Sequence, residues 1–296
     1  MVREVVALLT AHEIPDAVYL DCTLGLGGHT EALLIGTGSE TMVVGCDRDA
    51  EAIAMATEHL AGYGARVRFS HSAFSELSNV IDGLRPKVIA GALFDLGVSS
   101  MQLDTPERGF SFQYPGPLDM RMDRSTSETA ADWLNRQSES DLSDALRKYG
   151  DERWSLRIAR AIVRHRKERG PLRQCEELEA LIWRTVPREA RHGRIHPATR
   201  TFQAIRMAVN NEIEQLRVGL ETVIAGLTCK GRIVAISFHS VEDRCVKQTF
   251  RSHVKASQSD RKFALLGSKP LYPSREEVAC NRRARSAKLR VLERVA

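Results

Sequence analysis

The sequence contains no long hydrophobic run. No stretch approaches the roughly 18 consecutive apolar residues that a membrane-spanning helix needs. The N-terminus shows neither the basic and apolar segments of a signal peptide nor an Arg- and Ser-rich transit segment. These absences predict a cytoplasmic protein that has no membrane partner.

Closely spaced cysteine pairs are also missing. None of the six cysteines forms a Cys-x-x-Cys pair, which argues against a zinc ribbon and against a disulfide framework. His192 and His196 stand four residues apart near Cys175, but no second close pair of ligands accompanies them. We therefore expect free thiols and no metal ion.

Length and composition indicate a globular protein with one large and one small domain. The chain has 296 residues, of which 43% are hydrophobic and 27% charged, an ordinary balance for a packed core. The formal net charge of +5 suits a polyanionic partner, although many proteins that never bind nucleic acid share it.

The first hundred residues alternate β-rich runs with helical stretches, which is typical of a parallel sheet with crossover helices. Strands are predicted at 18–21, 42–47, 67–70 and 88–95, and two further strands at 231–238 and 289–292. Several helices are predicted between about 116 and 187. A long amphipathic helix then begins near Thr199, with apolar residues on one face as far as Leu220.

A glycine-rich turn follows the first predicted strand, in segment 21–29. Glycines let the backbone approach a ligand, and the following helix N-terminus supplies N–H donors. A dinucleotide site would need a third glycine where Thr30 stands, so the NAD interpretation weakens. The turn is closer to the Asp-x-Gly-x-Gly-x-Gly pattern of methyltransferases, matching Asp21, Gly25 and Gly27, with Thr23 in place of the first glycine.

Asp47 ends the second strand, 20 residues after Gly27, where a carboxylate can accept both hydroxyls of a ribose. Together the turn and Asp47 predict a nucleoside pocket, and Phe74 is a candidate to lie against an adenine. The alternative is a structural glycine turn with an Asp that caps a helix. For Phe74 the alternative is ordinary core packing.

Segment 94–102 places a carboxylate, two hydroxyls and an amide at the carboxyl end of the fourth strand, the edge where open α/β sheets bind ligands. Asp95 is either a substrate or donor contact or a turn-capping residue. The next segment, 108–123, mixes aromatic and charged residues, and its Phe110 and Phe112 are candidates either for clamping a flipped base or for the core of the inserted domain.

With these motifs the chain resembles the bacterial 16S ribosomal RNA cytosine-N4 methyltransferases of the MraW type. The resemblance also includes segments 150–162, 196–204, 236–244 and 283–290, in the same order. It implies an α/β fold with a Rossmann-like class I methyltransferase core, residues 1–103 and 196–296. A mainly helical domain for RNA recognition, residues 104–195, is inserted into that core.

The resemblance further implies S-adenosylmethionine as the methyl donor and a cytosine of 16S ribosomal RNA near the decoding centre as the acceptor. The donor-binding residues implied are Gly27, Gly28, His29, Asp47, Phe74, Asp95 and Gln102. Because the N4 lone pair is delocalised while a sulfonium methyl is already activated, catalysis can be mostly positioning. We expect Asp95 to accept an N4 hydrogen bond, with Ser99 and His239 as further catalytic candidates.

Cationic residues repeat along the helix predicted around 153–167, at Arg153, Arg157, Arg160, Arg164 and Lys167. Their steps of four and three place them on one face, either as a track for RNA phosphates or as a solvated helix face. A C-terminal cluster around 282–290 offers a second basic surface.

Two functions compete with RNA methylation. One is a non-catalytic ribosome assembly factor with a vestigial donor pocket, and the other is a nicotinamide-dependent dehydrogenase.

Overall fold

A computed structural model describes residues 1–14, 16–85, 87–193, 195–256 and 262–296, and it divides the chain into two compact units. Unit 1 comprises Met1–Gly97 and Ile213–Ala296, and unit 2 comprises Val98–Glu212. The boundaries of the inserted domain expected from the sequence lie a few residues later on the N-terminal side and 17 residues earlier on the C-terminal side (212 minus 195). In the described part of the chain no helix combines the length and apolarity needed to cross a membrane.

Unit 1 is an α/β unit built on seven strands. In chain order the first unit begins with α1 (Val2–Leu9), β1 (Ala17–Asp21), α2 (Gly28–Gly36), β2 (Met42–Asp47), α3 (Ala50–His59), β3 (Val67–His71), α4 (Leu77–Asp82) and β4 (Val88–Asp95). Unit 2 contributes α5 (Ser100–Asp104), α6 (Ala130–Arg136), α7 (Glu139–Gly150), α8 (Ser155–Arg169), α9 (Cys175–Thr185), α10 (Arg188–Arg191) and α11 (Ala198–Val209). The chain ends with α12 (Glu212–Gly226), β5 (Leu227–Ser237), α13 (Ser240–Lys255), β6 (Phe263–Leu265), α14 (Arg275–Cys280) and β7 (Lys288–Arg294).

The strand order is β3-β2-β1-β4-β5-β7-β6. Strands β1 to β5 pair in parallel, whereas β7 pairs antiparallel with β5 and with β6. After β3 the chain returns to the other side of β1, so the carboxyl ends of β1 and β4 flank the point where the winding reverses. Open sheets of this Rossmann-like type bind their ligands at that point.

Burial on both faces explains why the strands are almost continuously apolar. Successive residues of β1 and β4 alternate between two clusters, with Val18, Leu20 and Phe94 in one and Tyr19 and Leu93 in the other. This alternation is the period of two expected for side chains along a strand. The predicted α/β class and the six predicted strands are confirmed, and β6 is an additional short strand at the edge.

Unit 2 is helical and has its own core, formed by buried residues of α6, α7, α8, α9 and α11. Phe110 is buried in this core, and Phe112 packs against it with its ring stacked on His196 at a centroid distance of 4.7 Å. These contacts favour the core interpretation of both aromatic residues over the base clamp.

The single long helix predicted from Thr199 to Leu220 is wrong, because the chain forms two helices, α11 and α12. Asn211 between them has a φ of +47°, a conformation that ends a helix and that Asn tolerates better than most residues. The side chain of Asn210 donates to the carbonyl of Met120 at 2.7 Å and accepts from the amide of Met122 at 2.8 Å. These contacts within unit 2 hold the end of α11 in place.

Candidate active site

The turn between β1 and α2 places backbone at the carboxyl edge of the sheet. Gly27 is the residue that caps α2, with a φ of +85°, and a Cβ atom there would lie 2.8 Å from Cδ1 of Leu60. A side chain at this position is therefore both strained and obstructed. At Gly28, the first residue of the helix, a Cβ would meet no protein atom within 4 Å, so the space beside Gly28 is open.

Asp47 connects this turn to the end of β2. Its Oδ2 accepts the amide N–H of Gly25 at 2.8 Å, and its Oδ1 accepts the amide N–H of Asp49 at 2.9 Å. Burial raises the pKa of Asp47, while these two backbone donors act in the opposite direction. Each carboxylate oxygen keeps a further lone pair, which is what a ribose diol would need.

A second buried carboxylate, Asp21, lies at the end of β1. Its Oδ2 accepts the hydroxyl of Thr30 at 2.8 Å and its Oδ1 accepts the amide of Thr23 at 3.2 Å. Burial raises the pKa of Asp21 to about 6, against the effect of these donors. The Thr23 hydroxyl in turn accepts the amide N–H of Asp95 at 2.7 Å, which ties the end of β4 to the turn.

Thr30→Val tests the support that this network gives to the fold. The substitution keeps the shape of the buried side chain but removes a donor from a buried carboxylate, so we expect the free energy of unfolding to fall by about 1–3 kcal/mol. Urea unfolding measures the change. Thr57→Val is the matched control, since that hydroxyl is exposed and donates to the carbonyl of Ile53 in its own helix. An equal loss in both variants would contradict the role of Thr30.

Asp95 and His29 meet above the carboxyl ends of these strands. His29 Nδ1 lies 3.5 Å from Asp95 Oδ2, and their side chains are 17% and 28% exposed. Across the described ranges, neither the buried His29 Nε2 nor the buried Asp95 Oδ1 has a hydrogen-bond partner. Such atoms are costly unless a ligand or water satisfies them, which marks this pair as a place where a polar ligand binds.

The two groups of this pair are shifted toward their neutral forms. Burial raises the pKa of Asp95 to about 6, although His29 acts to lower it. Burial lowers the pKa of His29, which favours the neutral form of its ring. A carboxyl group whose pKa lies close to neutral pH, at the edge of a sheet where ligands bind, is suited to accept a proton or a hydrogen bond.

His239 and Glu242 lie at the start of α13, following β5. The amide of Glu242 donates to His239 Nδ1 at 3.3 Å, and Glu242 Oε2 accepts the amide of Phe238 at 2.9 Å. His239 Nε2 lies 2.9 Å from Glu242 Oε1. The imidazole thus caps a helix, a structural role that stands beside its predicted catalytic one.

Phe74 follows β3 and is half-buried. Its ring meets Phe94 edge to face with centroids 5.3 Å apart, and a Cβ at Gly219 would lie 2.8 Å from Phe74 Cβ. The ring therefore packs on the core and is also placed at the carboxyl edge of the sheet. Its contact with an adenine stays a prediction.

Ser99 and Gln102 lie in unit 2, whereas the other predicted site residues lie in unit 1. They form a capping box at the start of α5: the Ser99 hydroxyl accepts the amide of Gln102 at 3.2 Å, and Gln102 Oε1 accepts the amide of Ser99 at 3.1 Å. The catalytic role of Ser99 and the donor contact of Gln102 remain predictions. Neither Thr23 nor Thr30 is among the predicted site residues, although both stand at glycine positions of the patterns compared with this turn.

The fold and the site define an S-adenosylmethionine-dependent methyltransferase. The sheet has the reversal point, the glycine turn and the strand-end carboxylate of a nucleoside site, and the third glycine of a dinucleotide fingerprint is replaced by the buried Thr30. Within the described residues there is no cluster of three or more metal-ligating side chains.

The chain belongs to the MraW methylase family, which it matches over residues 1–295. It is 45% identical over 297 residues to a ribosomal RNA small subunit methyltransferase H of Idiomarina loihiensis, covering 95% of this chain and 92% of the relative. A protein of the same name from Trichlorobacter lovleyi is 43% identical over 306 residues, covering 100% and 97%. An rRNA methylase structure from Streptococcus thermophilus aligns over 100% of this chain and 96% of its own, with 11% identity and a TM-score of 0.47.

The raised pKa of Asp95 leads to a prediction on pH. Its carboxylate form is the one that accepts a hydrogen bond, so kcat/KM should fall about tenfold per pH unit below an apparent pKa of about 6. Rates of methyl transfer over a pH series measure this limb, with donor affinity followed at each pH. Because Asp21 has a similar pKa, Asp21→Asn is the control: loss of the limb in that variant would assign the titration to Asp21.

Proposed function

We propose that this protein transfers a methyl group from S-adenosylmethionine to the exocyclic N4 amine of a cytosine in 16S ribosomal RNA near the decoding centre. The names of the relatives at 43–45% identity support ribosomal RNA of the small subunit as the substrate. The family resemblance supports the N4 atom and the position. We further propose that the protein acts in the cytoplasm, on RNA within the small ribosomal subunit.

The residues present fit the donor. The open space at Gly28, the second lone pairs of the Asp47 oxygens and the unsatisfied buried atoms of His29 and Asp95 all lie around the reversal point of the sheet. When bound, S-adenosylmethionine supplies a sulfonium methyl group that is already activated for attack. Asp47 would hold the ribose, Gly27 and Gly28 would admit the donor closely, and Phe74 and Gln102 complete the proposed set.

The observation that carries the proposal is the Asp95 carboxyl group. It ends β4, has one buried oxygen without a partner in the described part of the chain, and has a pKa raised to about 6. His29 Nδ1 lies close enough to orient the other oxygen. An N4 amine that donates to Asp95 would have its lone pair aligned for in-line attack, a positioning effect of the kind that dominates such reactions.

The proton balance assigns a second task to Asp95. Transfer of the methyl group from the donor's sulfur to N4 would leave positive charge on N4, which must then release a proton. The Asp95 carboxylate would lie beside that charge and would accept the proton, which then passes to solvent. A carboxylate in a partly buried site stabilises such charge more than it would in water.

Two other functions compete with this proposal. A binding-only assembly factor has no need for the positive φ of Gly27, or for an Asp95 with a buried oxygen that lacks a partner in the described part of the chain, so these features argue against it. A dehydrogenase is disfavoured by the replacement of the third glycine. Calorimetric titration with S-adenosylhomocysteine and with NADH separates them, because we expect binding of the first and none of the second.

Transfer of labelled methyl groups to purified ribosomal particles tests the substrate. Both subunits come from cells that lack the modification and are offered together with labelled S-adenosylmethionine. We expect label in the 16S RNA of the small subunit and none in the large subunit. Label confined to protein, or to RNA of the large subunit, would contradict the proposal.

A further inference from the structure

A groove of about 920 Å³ lies on the surface of unit 2, along the exposed side of α8 and the end of α9. Its lining includes six arginines and one acidic residue, Glu168. The arginines are Arg153, Arg157, Arg160, Arg164, Arg169 and Arg184. Four of the five cations predicted to share one face of this helix therefore line a concavity, together with an arginine from a neighbouring helix.

The charge of these arginines is largely unneutralised by the protein. Arg157, Arg164 and Arg184 are exposed, and in the ranges that the structure describes they take part in no ion pair. Arg160 is the exception, since its Nε lies 3.0 Å from Glu139 Oε1. Like charges held together without counterions repel one another, so the groove is suited to a polyanion.

Arg166, also on α8, has a structural role and can be compared with the arginines of the groove. Arg166 donates to the carbonyls of Leu134 and Gln137, both at 2.8 Å, and so joins α8 to the end of α6. Arg157 and Arg164 make no such contacts in the described part of the chain, while the apolar side of α8 buries Ile158 and Ile162. The packing of the helix therefore does not require these guanidinium groups.

The groove also offers aromatic surface. Trp154 lines it at the start of α8, with the guanidinium of Arg153 4.8 Å from the centre of its ring. Arginine forks pair with phosphate oxygens, and rings of this kind stack on unpaired bases. Within α8, Arg157 to Arg164 spans seven residues of helix, roughly 10 Å at 1.5 Å per residue, so the two side chains can contact different phosphates.

We propose that this α8–α9 groove binds the phosphodiester backbone of the substrate RNA. The inference rests on the proposed function only for the identity of the RNA. RNA is favoured as the occupant because the groove joins an excess of unpaired guanidinium groups with an aromatic side chain. An acidic protein segment would pair with the guanidinium groups but has no base to stack on the Trp154 ring.

The test is the salt dependence of RNA affinity for the double variant Arg157→Gln/Arg164→Gln. Binding of transcribed 16S RNA is measured over a salt series, without turnover. Two lost phosphate contacts should reduce the slope of log affinity against log salt by roughly 1.4–1.8 and weaken binding on the order of tenfold at physiological salt. Arg147→Gln is the control, because Arg147 is an exposed arginine of the same unit that pairs with Asp144 outside the groove.

Each outcome of this experiment either supports or overturns the groove as an RNA site. A reduced slope with unchanged affinity for S-adenosylhomocysteine supports the groove as an RNA site, and it does so even if the methylated nucleoside proves to be another one. A slope equal to that of the Arg147 variant overturns the proposal. Weaker binding to assembled subunits with unchanged binding to free RNA would also overturn it, since the groove would then contact a ribosomal protein.

Discussion

Replacing Asp95 with alanine is expected to lower kcat by about 10²–10⁴-fold, the range that a positioned proton acceptor contributes. The reason is that the variant loses both the group that aligns the N4 lone pair and the group that accepts its proton. Single-turnover methyl transfer at saturating donor measures the loss. Calorimetric titration with S-adenosylhomocysteine shows whether the donor site survives.

Two further variants make this result specific. Asp95→Asn keeps the size of the side chain and an oxygen that can accept the N4 hydrogen bond, but it cannot accept a proton. We expect its rate to lie well below that of the unaltered protein and at or above that of the alanine variant. Asp82→Ala removes an exposed carboxylate that pairs with Arg85 along the surface, and we expect it to act like the unaltered protein. Full turnover by Asp95→Ala at saturating donor would remove Asp95 from the mechanism.

The second large effect is expected at the glycine turn. Gly27→Ala places a Cβ 2.8 Å from Leu60 in a left-handed backbone conformation that costs roughly 1–2 kcal/mol for an L-residue. We therefore expect both lower thermal stability and loss of S-adenosylhomocysteine binding. Differential scanning calorimetry, with and without ligand, measures both quantities.

Gly28→Ala, at the adjacent position, distinguishes an effect on donor binding from an effect on the stability of the fold. Its Cβ would meet no protein atom within 4 Å, and alanine is the better helix former, so thermal stability should not fall. If the donor lies against this backbone, its affinity should still fall on the order of tenfold. Unchanged affinity for S-adenosylhomocysteine in this variant would show that the donor lies elsewhere.

Much of the fold could be predicted from the sequence because the sheet is buried on both faces. Strands such as 42–47 and 88–95 are continuous apolar runs that end in a carboxylate, and both have the predicted bounds in the structure. The glycine turn and the Asp at the end of the second strand are local signals too. Each depends on a few adjacent residues, so a single sequence shows them.

The break between α11 and α12 could not be predicted from periodicity. The apolar residues continue in register through the break, while the chain turns at Asn211 because Asn210 bonds to backbone near residue 121. That contact joins residues 88 positions apart in the sequence. No local pattern carries it.

The site residues illustrate the same limit. From the sequence, Thr30 is noted only because it stands where a dinucleotide site would have a glycine. In the structure it is fully buried, and its hydroxyl donates to Asp21. Thr23 likewise replaces a glycine and receives the amide of Asp95, which is 72 residues away in the chain. By contrast, the capping boxes of Ser99 with Gln102 and His239 with Glu242 follow a spacing of three that the sequence does display.

The proposed reaction is tested most directly by the identity of the nucleoside that this protein methylates. Small ribosomal subunits that lack the modification are incubated with the purified protein and labelled S-adenosylmethionine, and the RNA is digested to nucleosides for mass analysis. We expect the label to appear as N4-methylcytidine. Label in any other nucleoside, or tight binding of the donor with no transfer to RNA, would contradict the proposed reaction.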